Sequence, residues 1–281
     1  IACASPTNPH AISCEYQQMA QCTRERAWLG WLVFVWYAAN LGFNMGMKRS
    51  HALVPDVFVL TTFQFAAGAL TYGAALLFSA AVLPRGLWAA LGGSATLLLG
   101  GTLFTNVSLT LLSVSFTHVI KTCEPFFTVV IVYLWDRKMP EPTACLALGV
   151  TVLGVLVAST DQRARSGKSS SFSVGVGVAM LANLCLQLRN VLNKKLMAKP
   201  AAAPEAEYLR PLNLLLATLT AGLPMNLVLQ ATVDTYAALQ PTPPTASRYA
   251  HYGDANLLWL LVTPTCFVVY QVRPLLGMWR P

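Results

Sequence analysis

Apolar stretches of about 20 residues, the length that crosses the hydrocarbon core of a bilayer as a helix, recur along this chain with short polar breaks between them. They lie at residues 28–47, 56–83, 87–107, 110–135, 143–160, 172–193, 211–232 and 256–272, and predict eight transmembrane helices. The third and fourth are separated only by the polar string TNVSLT, Thr105 to Thr110, which reads as a tight turn or as a polar stretch lining a cavity. Asp161–Ser171 (DQRARSGKSSS) and Ala198–Arg210 (AKPAAAPEAEYLR) have the Ser, Ala, Pro and charged composition of solvated connectors. The polar stretch from Asp234 to Asp254 would be a long loop for a compact bundle. The pattern divides the chain into a polar arm over 1–27, a transmembrane domain over 28–272 and a divergent tail over 273–281.

Composition agrees with a polytopic, all-α membrane bundle. Of 281 residues 55% are apolar and 11% charged, with a mean hydropathy of +0.54, whereas soluble domains carry about 25% charged residues. The formal charge of +8 therefore reads as basic loops beside lipid, following the positive-inside rule, and not as a nucleic-acid footprint. With alternating spans the basic loops gather on the side of Arg24, Arg85, Arg137, Lys194 and Arg273, which puts the N-terminus in the cytosol. Seven cysteines are odd in number and scattered without a C-x-x-C pair, so neither a disulfide framework nor a zinc site is expected. The segment from Ile1 to Arg26 reads either as the tail of a transit sequence or as a flexible cytosolic arm. A start at Ile1 leads to the expectation that any targeting signal is incomplete.

One charge stands out. Lys121 interrupts a run from Gly86 to Trp135 that is otherwise almost uncharged. A lysine at the centre of a membrane helix costs roughly 2.5 to 3.5 kcal/mol, so it should face the bundle interior or a watery cavity. A cavity with a fixed positive charge suits an anionic solute. In SFTHVIKTCEPFF, Ser115 to Phe127, the residues His118, Lys121 and Glu124 are spaced by three and would share one broad helix face. Pro125 removes a backbone donor and is expected to kink that helix. Lys121 and Glu124 read either as a buried ion pair or as an anion ligand with its supporting carboxylate. His118 suits proton-linked transport or a packed, hydrogen-bonded role. Thr105, Asn106 and Ser108 offer hydroxyl and amide groups to a polar solute, or bond back to their own helix. Arg189 follows seventeen mostly apolar residues; its planar fork fits carboxylate or phosphate, and the basic end of the helix is close enough for it to snorkel. Hydrolase, zincin and P-loop motifs are missing from the sequence. The reading is a non-enzymatic carrier without cofactor or metal, working downhill or by exchange.

The string TNVSLTLLSVSFTHVIKTCEPFF, Thr105 to Phe127, resembles the plastid phosphate translocator family of the drug/metabolite transporter superfamily. LRNVLNKKLM, Leu188 to Met197, looks like that family's sixth helix, with wording similar to its phosphoenolpyruvate branch. The resemblance implies ten helices in an inverted five-plus-five repeat, of which about eight are present here. It also implies exchange of inorganic phosphate for a phosphorylated three- to six-carbon metabolite across the plastid inner envelope. A short internal match fits such a repeat: Ala-Asn-Leu at 39–41 and again at 182–184, each followed by basic residues. Chance similarity between helices rich in Ala and Leu explains it equally well. Carried over by position, Thr105 and Lys121 match phosphate-holding residues, Arg189 a residue at the substrate's other end, and Tyr270 a phosphate-contacting tyrosine. The sequence departs from the family in having Thr102 where the triose-phosphate branch has a histidine. The family's Lys-Arg pair, about twenty residues past the tyrosine, has no counterpart before Pro281, so a fragment lacking two helices is expected. The competing readings are a nucleotide-sugar transporter of the Golgi or endoplasmic reticulum and a degenerate paralogue that binds without transporting. Implied partners are inorganic phosphate, a phosphorylated small molecule and lipid, without nucleic acid.

Overall fold

The computed structural model describes residues 9–54, 56–79, 88–137, 140–166, 169–198, 211–238, 259 and 262–269. Eight helices follow one another among them: α1 (Pro9–Leu53), α2 (Val57–Ser79), α3 (Trp88–Leu111), α4 (Val114–Lys121), α5 (Glu124–Asp136), α6 (Pro142–Ser166), α7 (Ser169–Met197) and α8 (Pro211–Ala238). A further helical turn pair covers residues 262–269. The architecture is a helical membrane bundle. Five stretches among the described residues are long and apolar enough to cross a bilayer: Leu91–Leu111, Val114–Asp136, Pro142–Thr160, Ser171–Met197 and Asn213–Ala238. Lipid-facing surface is plainest on α6, where Leu146, Val150, Leu153, Leu156 and Val157 are all exposed. In water such a stripe would be an aggregation site; against acyl chains it costs nothing.

Three sequence expectations are corrected. The join placed at Thr105–Thr110 lies inside α3, and the chain turns instead at Leu112–Ser113. The hydroxyls of that string bond back to their own helix, Thr105 to the Gly101 carbonyl at 2.7 Å, Ser108 to Thr105 at 2.8 Å and Thr110 to Val107 at 2.7 Å, so its polarity does not break the helix. Ser113 does, because its extended backbone and its oxygen, accepting from the Phe116 N–H at 3.3 Å, cap α4. The span expected over 110–135 is two helices with a break at Thr122–Cys123. Pro125 sits in the first turn of α5, where its missing N–H goes unmissed. The connector expected over Asp161–Ser171 is largely helical, since α6 runs to Ser166 and α7 starts at Ser169. The connector from Ala198 to Arg210 falls outside the described residues beyond position 198, and so does the long loop beyond position 238.

Close helix approach rests on glycine. A Cβ on Gly101 would lie 2.6 Å from Leu186 Cγ, which seats α3 on α7; one on Gly222 would lie 2.2 Å from Phe65 Cε1, which seats α8 on α2. Packing by small residues is how helices associate where lipid removes the hydrophobic drive. Between these helices run polar contacts that fix their register. Asn106 of α3 donates to Thr61 of α2 at 2.9 Å, Asn226 of α8 donates to Thr62 of α2 at 2.8 Å, and Ser94 of α3 donates to Asn193 of α7 at 2.7 Å. Lys48 on α1 donates to the Leu109 and Leu112 carbonyls at the end of α3, a cation at a helix C-terminus where the dipole favours it.

Candidate functional site

The break between α4 and α5 is where a charge meets a cavity. His118 and Lys121 occupy the last turn of α4 and Glu124 the first turn of α5, so each charge sits at the helix end that favours its sign. Pro125 has no N–H for the Lys121 carbonyl that stands four residues before it. The preceding carbonyl, of Ile120, accepts the Asn183 amide of α7 at 3.0 Å. Lys121, Thr122, Glu124, Pro125, Thr128, Val129 and Gln187 line an open cavity of about 530 Å³. Among the described residues the ion pair in contact is Lys195–Asp136, not Lys121–Glu124. The lysine thus faces the cavity without a carboxylate closed upon it.

Opposite stands α7. Gln187 Oε1 accepts from the Thr128 hydroxyl at 2.9 Å and from the Asn190 amide at 3.3 Å. α5 and α7 run parallel and in step: Thr128 meets Gln187, and eight residues on Asp136 meets Lys195, which also stacks over the Trp135 ring. Sequence reasoning singled out Lys121, Glu124 and Pro125, which the structure brings together, and missed Thr128, Asn183, Gln187 and Asn190. A signal was there, since Asn183, Gln187 and Asn190 recur at helical spacing through an apolar helix.

The remaining candidates lie elsewhere. Thr102 and Thr105 are buried in α3 with their hydroxyls donating to the Leu98 and Gly101 carbonyls. Arg189 is 6% exposed. That burial places it in the bundle and not snorkelling at a surface. The α3–α7 pairing is antiparallel, with Gly101 against Leu186 and Ser94 bonded to Asn193, so Arg189 stands level with Leu98, one turn from Thr102. His118 is half-buried and does not line the Lys121 cavity. Tyr270 lies outside the described residues. A second cavity of about 570 Å³ between α2, α3 and α8 is walled mainly by apolar side chains, among them Phe58, Leu99, Leu103 and Leu229.

The model of the family described as Triose-phosphate Transporter matches residues 27–275. The chain belongs to that family. Among relatives of the Triose-phosphate Transporter family, the chloroplastic phosphoenolpyruvate/phosphate translocator 1 of Oryza sativa subsp. japonica is 38% identical over 177 residues, 61% of this chain and 41% of the relative. The chloroplastic triose phosphate/phosphate translocator of non-green plastids from Brassica oleracea var. botrytis is 37% identical over 175 residues, 61% of this chain and 42% of the relative. A chloroplastic xylulose 5-phosphate/phosphate translocator of Arabidopsis thaliana is 30% identical over 171 residues, 59% of this chain and 39% of the relative. The chain thus spans about two fifths of the length of these curated relatives. Membership bears out the resemblance carried by the strings at Thr105–Phe127 and Leu188–Met197.

Proposed function

We propose that this chain serves a secondary antiporter of the plastid envelope that exchanges inorganic phosphate for a phosphorylated three-carbon metabolite such as phosphoenolpyruvate or triose phosphate. The observation that carries the reading is Lys121, held at the α4–α5 break and facing a cavity of about 530 Å³, in a chain whose relatives are named phosphoenolpyruvate/phosphate and triose phosphate/phosphate translocators. The ammonium and the N-terminal end of α5 both favour an anion. The same charge gives a physical reason for exchange over one-way flow. Burying it uncompensated costs roughly 2.5 to 3.5 kcal/mol, about a hundredfold in population, so a carrier without its anion crosses rarely. An anion on Lys121 neutralises the charge and lowers that barrier in both directions. Thr102, Thr105, Arg189 and Tyr270 are proposed to complete recognition, the first three on the α3–α7 pair.

The test is counter-exchange in proteoliposomes loaded with phosphate. Uptake of labelled phosphate that depends on internal phosphate, and is inhibited by phosphoenolpyruvate or triose phosphate outside, is the expected result. Exchange of nucleotide monophosphates with no response to small phosphoesters would overturn it.

A further inference from the structure

The carbonyl next to Lys121 is held from another helix. Ile120 is fully buried, so its carbonyl is cut off from water and must be satisfied inside the bundle. At the break the backbone tightens into three-residue turns, in which the Thr122 N–H reaches the Val119 carbonyl at 3.2 Å and the Cys123 N–H the Ile120 carbonyl at 3.1 Å. The Ile120 oxygen takes a second donor, the Asn183 amide of α7 at 3.0 Å. Asn183 is itself 1% exposed, and toward a carbonyl it can present only its NH2 end. One turn further along the same face of α7, Gln187 takes the Thr128 hydroxyl of α5 at 2.9 Å. Helix α7 therefore grips both sides of the break, α4 by the Ile120 carbonyl and α5 by Thr128.

A peptide unit is planar, so a bond that fixes the Ile120 carbonyl fixes the plane ending on the Lys121 Cα. It thereby limits the directions in which the lysine side chain leaves the backbone. The next carbonyl has no such hold from its own helix, because Pro125 has no N–H to give that of Lys121. We infer that Asn183 is a positioning residue which, through the Ile120 carbonyl, holds Lys121 over its cavity in the orientation that receives an anion. The inference rests on the antiporter reading for its transport consequences but not for its geometry. Without Asn183 the turn at 120–123 moves more widely and the ammonium spends less time over the cavity. Phosphate then binds more weakly, while the crossing step is left as it was.

The variants are Asn183→Leu, close in shape but without a donor, and Asn183→Ser, whose shorter side chain withdraws from the carbonyl; either one suffices where the other does not fold. Ser94→Ala is the control, since it deletes the Ser94–Asn193 bond, which is also buried and also ties α7 to a neighbouring helix. In phosphate-loaded proteoliposomes of the full chain, the Asn183 variants should raise the KM for phosphate about tenfold and change the maximal exchange rate by less than about twofold, the pattern of lost binding. Ser94→Ala should leave KM unchanged. A merely structural role predicts instead that Asn183→Leu and Ser94→Ala both lower Tm and the amount of active protein, with KM unmoved in each. A second measurement does not depend on transport: amide hydrogen exchange over Lys121–Glu124 in nanodiscs without phosphate, read by mass spectrometry. It should quicken about tenfold in the Asn183 variants and stay as it was in Ser94→Ala. Should the unmodified protein exchange no phosphate, the antiporter reading fails and the amide exchange alone decides whether Asn183 holds the turn. Unchanged amide exchange in a folded Asn183 variant, or an unchanged KM in an active exchanger, overturns the inference.

Discussion

The contact between Gly222 and Phe65 offers a sharp test of how the bundle is held. A Cβ at position 222 would fall 2.2 Å from Phe65 Cε1 and 2.6 Å from Cδ1. Carbon atoms rest at about 3.5 to 4.0 Å, so Gly222→Ala forces the ring edge back by about 1.3 Å or more. Phe65 is fully buried and has no solvent side to yield into, so α8 and α2 must part or the ring must leave its rotamer. Overpacking of this kind costs about 1 to 3 kcal/mol. At roughly 2 to 4 °C per kcal/mol for chains of this order of size, the unfolding midpoint should drop by about 2 to 12 °C. Gly154→Ala is the control: a Cβ there meets nothing within 4 Å, and the gain in helix propensity should leave it neutral or more stable by up to about 1 kcal/mol. The assay is thermal unfolding in nanodiscs followed by tryptophan fluorescence. Equal midpoints for the two variants would refute the α2–α8 packing.

Other consequences are smaller or differently placed. Lys48→Met removes the cation at the end of α3 and should lower stability by about 0.3 to 1 kcal/mol, seen as faster hydrogen exchange around Leu109–Leu112; protection equal to the unmodified protein would remove Lys48 from that role. Asp136→Asn breaks the pair with Lys195, both of them about a third exposed, and should cost no more than about 1 kcal/mol. A loss of several kcal/mol by denaturant titration would mean that the α5–α7 pairing depends on this outer contact and not on the packing around Thr128 and Gln187.

Much of the fold was legible because the bilayer makes hydrophobic length the dominant signal. The stretches at 143–160, 172–193 and 211–232 each fall within a single observed helix. What misled was local polarity. TNVSLT looks like a turn, but in a helix Thr and Ser can satisfy their hydroxyls on the preceding turn, and the one residue that ends α3, Ser113, is chemically no more conspicuous than its neighbours. Lys121 was legible for the opposite reason, since nothing in the chain compensates a charge at that depth cheaply. Gln187 was not. A neutral amide in a helix carries no cost large enough to flag it, and its part emerges only when α5 is laid beside α7 and the Thr128 and Asn190 donors converge on one side chain.

The account stands most directly on phosphate exchange through Lys121. Labelled-phosphate exchange in proteoliposomes, compared between the unmodified protein and Lys121→Ala at equal membrane incorporation, measures it. The account predicts exchange in the first and its loss in the second, with thermal stability preserved because the lysine faces a cavity and not a packed core. Exchange that persists in Lys121→Ala would contradict it.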